Sequence, residues 1–78
     1  MQPTSQQRDD FLALKPLSGV ALQHNDLVSV KRGEYTGNTG SVVSVEVLGE
    51  DPWYLVELES GRDALVLQSS LTFVAHGH

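Results

Sequence analysis

The chain has 78 residues, no cysteine, and ten acidic against five basic residues, for a formal net charge of −5. That length allows one domain with one core, which hides only about 60% of the unfolded surface, and without cysteine neither a disulfide nor a thiolate metal site adds stability. The acidic balance weighs against a backbone-tracking nucleic-acid binder, which needs Lys and Arg to neutralise phosphates. No apolar run is long enough to cross a bilayer.

The start, MQPTSQQRDD, has no basic n-region followed by an apolar stretch, so the expected location is the cytoplasm. These ten residues are too polar to order themselves and predict a loose tail. Phe11, Leu12, Ala13 and Leu14 follow as an apolar cluster that can close a short helix begun at Thr4 or Ser5, either of which suits an N-cap. Pro16 stops such a helix, because it disfavours helical geometry at Lys15. A helix of about ten residues does not hold alone, so it forms only by docking. Residues 1–15 are therefore read as a tail with a short helical or irregular segment, and residues 26–75 as the folded domain.

From Asp26 the pattern changes to short β-type runs punctuated by glycine. Residues 27–32 put Val28 and Val30 on one face and Ser29 and Lys31 on the other. A glycine-bearing connection over 33–40 leads to a valine-rich strand over 41–48, and Gly49-Glu50-Asp51-Pro52 turns the chain. In a third strand, 53–59, Tyr54, Val56 and Leu58 oppose Trp53, Leu55, Glu57 and Glu59. Ser60-Gly61 makes a tight turn into a fourth strand over 62–68, and after Ser69-Ser70 a fifth covers 71–74, with the last four residues frayed. Five strands in about fifty residues predict an all-β fold, a small five-stranded SH3-like barrel.

The fourth strand is apolar on both faces, whereas a strand open to water on one side should alternate. With Ala64 and Val66 pointing inward beside Val56 and Leu58, Leu65 and Leu67 point outward near Trp53 and Leu55. Something must cover that outer patch: the segment bearing Phe11 and Leu14, or a second copy of the chain. Phe11, Leu14, Trp53, Leu55, Leu65 and Leu67 are accordingly the candidate interface residues.

The run from Asp26 to Val45, DLVSVKRGEYTGNTGSVVSV, has an alternating strand, a glycine, a loop with two further glycines and a returning valine strand. Gly33, Gly37 and Gly40 permit a sharp loop with exposed amides, and Val28, Val30, Val42 and Val45 anchor the hairpin. This pattern resembles the KOW motif of ribosomal and transcription-elongation proteins. The resemblance implies an SH3-like barrel whose glycine-bearing loop and flanking basic residues contact RNA or a protein. Carried onto this chain, the binding candidates are Lys31, Arg32, Tyr35, Thr36, Asn38 and Thr39. Ribosomal relatives are strongly basic, whereas this chain is acidic and has Glu34 within the motif, which disfavours RNA.

No catalytic signature stands out: there is no nucleophile elbow, no phosphate-cradling loop, and the glycines lie between strands rather than before a helix. Glu57, Glu59 and Asp63 read as a solvated acidic face, and His24, His76 and His78 as solvated side chains without metal-ligand spacing. The expectation is a non-enzyme without cofactor or metal. Its partner is itself or another protein; an RNA contact and an accessory role in a larger complex are the alternatives.

Overall fold

Apolar side chains at every second position commit most of the chain after Asp26 to strands, and the computed structural model, which describes residues 1–77, bears this out. Its elements are α1 (Ser5–Leu12), β1 (Leu27–Val30), β2 (Thr39–Val47), β3 (Trp53–Leu58), β4 (Asp63–Leu67), a 3-10 turn over Gln68–Ser70, and β5 (Leu71–Ala75). His78 lies outside the described residues. The strands form one antiparallel sheet in the order β4-β3-β2-β1-β5. Four strands meander, and the fifth returns through the 3-10 turn to pair with the first, giving a small all-β barrel-like sheet with β4 and β5 at its edges.

The core fills the inside of this curl. Val28 and Val30, Tyr54, Val56 and Leu58, Ala64 and Val66, and Leu71 alternate inward as a period of two requires. β2 breaks that rule: Val42 and Val45 are both buried although three residues apart. A shift of register against β3 between Val42 and Ser44 supplies the extra residue, and a second lies between Val45 and Val47. Such irregularities bend a strand and sharpen its twist, which a five-stranded sheet needs in order to curl.

The first residues are not a loose tail. Thr4 caps α1 by accepting from the Gln7 N–H at 3.1 Å, while the Thr4 N–H donates to Gln7 Oε1 at 2.8 Å, a reciprocal capping box. Leu48 N–H donates to the Met1 carbonyl, the Met1 ammonium donates to the Leu48 carbonyl at 2.8 Å, and Pro3 is buried. Composition undervalues this segment because its order comes from docking. The helix stops at Leu12, before Pro16 can act, since Ala13 caps it and Leu14 takes a left-handed φ of 64°.

The far end is held as well. Ala75 completes β5, and His76 Nδ1 lies 2.7 Å from Oδ1 of Asp26, a fully buried carboxylate that also accepts from the Gln23 N–H at 2.8 Å. His24 Nδ1 donates to the Val43 carbonyl at 2.7 Å. Neither histidine is simply solvated, because each has an oxygen acceptor in reach. No helix among the described residues is long and apolar enough to cross a membrane.

Candidate binding groove

The loop between β1 and β2 is a self-bonded unit. Gly33 and Gly37 both take left-handed φ, 90° and 92°, which side chains resist, and they let the chain fold back. Gly37 N–H then donates to the Val30 carbonyl at 2.9 Å and Val30 N–H to the Asn38 carbonyl at 2.8 Å, closing the loop at its base. Thr36 Oγ1 donates to the Gly33 carbonyl at 2.7 Å and Asn38 Nδ2 to the Tyr35 carbonyl at 2.9 Å. Thr36 and Asn38 therefore hold the loop rather than reach outward. Thr39 opens β2 opposite Ser29. Lys31, Arg32 and Glu34 are exposed, and Tyr35 is half-buried against the core.

Across the seam stands the outer face of β3 and β4. The register pairs Trp53 with Leu67 and Leu55 with Leu65, so these four share one side of the sheet, with Trp53 39% and Leu65 55% exposed. Arg32, Glu34 and Tyr35 of the loop meet Trp53, Leu65 and Leu67 along a groove of about 250 Å³, floored by Val30 and Val66. Parts of two sets that the sequence suggested separately thus come together at one place: Arg32 and Tyr35 of the loop with Trp53, Leu65 and Leu67 of the sheet face, while Lys31, Thr36, Asn38, Thr39 and Leu55 do not line the groove. Phe11 does not belong to it: at 3% exposure it is a core residue, 6.3 Å from the Tyr54 ring and 6.5 Å from His24. Leu14 is exposed just past the end of α1 and does not line the groove. The N-terminal segment leaves the Trp53–Leu65 patch open, because its anchor enters the core instead.

A larger groove, about 500 Å³, runs over the outer face of β1, β2 and β3, where Leu27 and Val74 face Glu57 and Glu59. Those carboxylates lie along an open sheet face, and among the described residues no three acidic or histidine side chains gather where a cation could be held.

Sequence reading missed Gln68 and Asp51, which tie the 3-10 turn between β4 and β5 to the rest of the barrel. Gln68 Oε1 accepts from the Tyr54 hydroxyl and from the Ala21 N–H, and Asp51 accepts from Ser69 N–H at 2.8 Å and Ser69 Oγ at 2.6 Å. Polar residues in turns carry no period to betray such a role. The buried Tyr54 phenol is pushed up to about 12, chiefly by loss of hydration. The fold and the groove together define a small all-β barrel with a groove walled by Trp53 and Tyr35. Comparison with family models, with curated proteins and with solved structures gives no match.

Proposed function

We propose that the chain is a non-catalytic protein-binding module that takes an apolar segment of another protein into the groove between Trp53, Leu65 and Leu67 and the Arg32–Tyr35 loop. The observation that carries this reading is the convergence of an exposed tryptophan and a half-buried tyrosine on one apolar slot with charged lips. Aromatic side chains in such slots dominate binding energy, because they bury much area for little lost freedom. The lips, Arg32 and Glu34, offer one charge of each sign to orient a partner.

Trp53 is the sole tryptophan and reports on its own groove. Peptides selected from a random library against the chain alone are expected to shift Trp53 emission and to lose binding to Leu65→Glu. Selected binders that bind both proteins equally would remove the groove from consideration.

A second reading, an RNA contact of the KOW type, draws on the same loop: Arg32 and Tyr35 line the groove and Lys31 is exposed beside them. A phosphate contact must weaken steeply as salt rises, and a base stacked on Tyr35 must compete with the peptides. With a net charge of −5, we rank it second.

A further inference from the structure

An open sheet edge presents a row of unpaired amides and carbonyls, and proteins ordinarily guard it with charge, proline or a covering segment. The edges here are β4 and β5. β4 is entered through exposed Arg62 and Asp63 and faces the Arg32–Tyr35 loop across the groove. β5 has no such guard. Its sequence, Leu71-Thr72-Phe73-Val74-Ala75, contains neither charge nor proline, and Phe73 and Val74 stand 47% and 57% exposed.

The register tells which backbone groups are open. Lys31 N–H donates to the Ser70 carbonyl at 2.9 Å, so two residues further along each strand Ser29 and Thr72 form the next bonded pair. Phe73, opposite Val28, turns both its N–H and its C=O away from β1. The Leu71 carbonyl points the same way, while the Leu71 N–H is taken by the Gln68 carbonyl. Among the described residues no turn, loop or side chain bonds the outward groups of Phe73.

We infer that β5 pairs antiparallel with β5 of a second copy, about a two-fold axis beside Phe73. A second copy is the occupant that the edge itself specifies. In an antiparallel pair centred there, each Phe73 N–H meets the partner's Phe73 carbonyl, so the donor and acceptor pattern is its own complement. β5 itself brings no charge to the approach: none of the ten acidic residues lies on it, and Asp26, bonded to His76 just beyond it, is buried, while Glu57 and Glu59 stand across the larger groove from Val74. Phe73, packed on the His76 ring at a centroid distance of 4.9 Å, is pre-positioned at the axis. One strand pair falls below the roughly 1,200 Å² of standard specific interfaces, so the dimer is weak and depends on concentration. This inference is independent of the groove proposed above.

The test is the solution mass of the full chain by light scattering across a wide concentration range. The mass should rise from the 8.5 kDa monomer toward twice that value, and more readily at high salt, which screens two like-charged copies. At high salt, where differences in net charge are screened, Phe73→Lys should raise the dissociation constant about tenfold or more, while Leu65→Glu leaves it unchanged. A monomer at every concentration overturns the inference, as does a dimer lost with Leu65→Glu but kept with Phe73→Lys. Hydrogen exchange on the unmodified chain gives an answer free of any folding effect. The Phe73 amide should exchange more slowly in concentrated than in dilute solution, and equal rates in both would also overturn the pairing.

Discussion

Gly33, in the loop between β1 and β2, and Gly40, the second residue of β2, are glycine for different reasons. A Cβ on Gly40 would lie 2.5 Å from the Glu57 carbonyl and 2.9 Å from Val56 Cγ1, whereas a Cβ on Gly33 meets nothing within 4 Å but must accept φ of 90°. Gly40→Ala should therefore cost about 1–3 kcal/mol by forcing β2 from β3, and Gly33→Ala about 1–2 kcal/mol by backbone strain alone. Urea unfolding of the two variants measures both. Tyr54 carries the pH dependence. Its folded pKa, about 12, exceeds the unfolded 10.0, so the folded state keeps its proton longer. Stability is then at its full level below pH 10 and falls as pH rises toward 12, because ionising the buried phenol disfavours the folded state. Tyr54→Phe should flatten that fall, as thermal unfolding across this range would show. At neutral pH the same change costs about 1 kcal/mol through the lost bond to Gln68.

Helix α1 shows how an element can be predicted correctly and its purpose misjudged. The Thr4 cap and the apolar cluster are both readable in sequence, and the helix forms where they suggest. Its weak amphipathicity leaves Phe11 as its one buried residue. Phe11→Ala should cost about 3–5 kcal/mol and release the helix, seen as loss of far-UV ellipticity at 222 nm along with a lower unfolding midpoint. Thr4→Ala should cost only about 1 kcal/mol, because docking rather than capping holds the segment. β3 and β4 were legible down to their faces, since an alternating pattern has only two ways to lie. The bulges of β2 were legible only in part: valines at 42 and 45 hint at them, but which residue is extra depends on the partner strand.

At the scale of the molecule, both ends of the described residues are fastened to the barrel, the first through Met1 and Leu48 and the last through His76 and Asp26. Asp26 joins the second of these to the turn at Gln23, so Asp26→Ala should leave the Gln23 N–H without its carboxylate acceptor and cost about 1–3 kcal/mol, measurable by chemical denaturation. Removing residues 1–14 takes away Phe11 and exposes the core beneath it, so the shortened chain should lose stability whatever its association state. The sequence by itself determined the number and kind of the strands, the buried side of β1, β3 and β4, and the helix start, because these follow from local period, capping and turn chemistry. Only the tertiary structure decided that Phe11 enters the core, that Tyr35 and Trp53 share one groove, and that β5 is left as an unguarded edge. Each of these depends on which strands become neighbours when the sheet curls, and that is settled by the packing of the whole core rather than by any one stretch of chain.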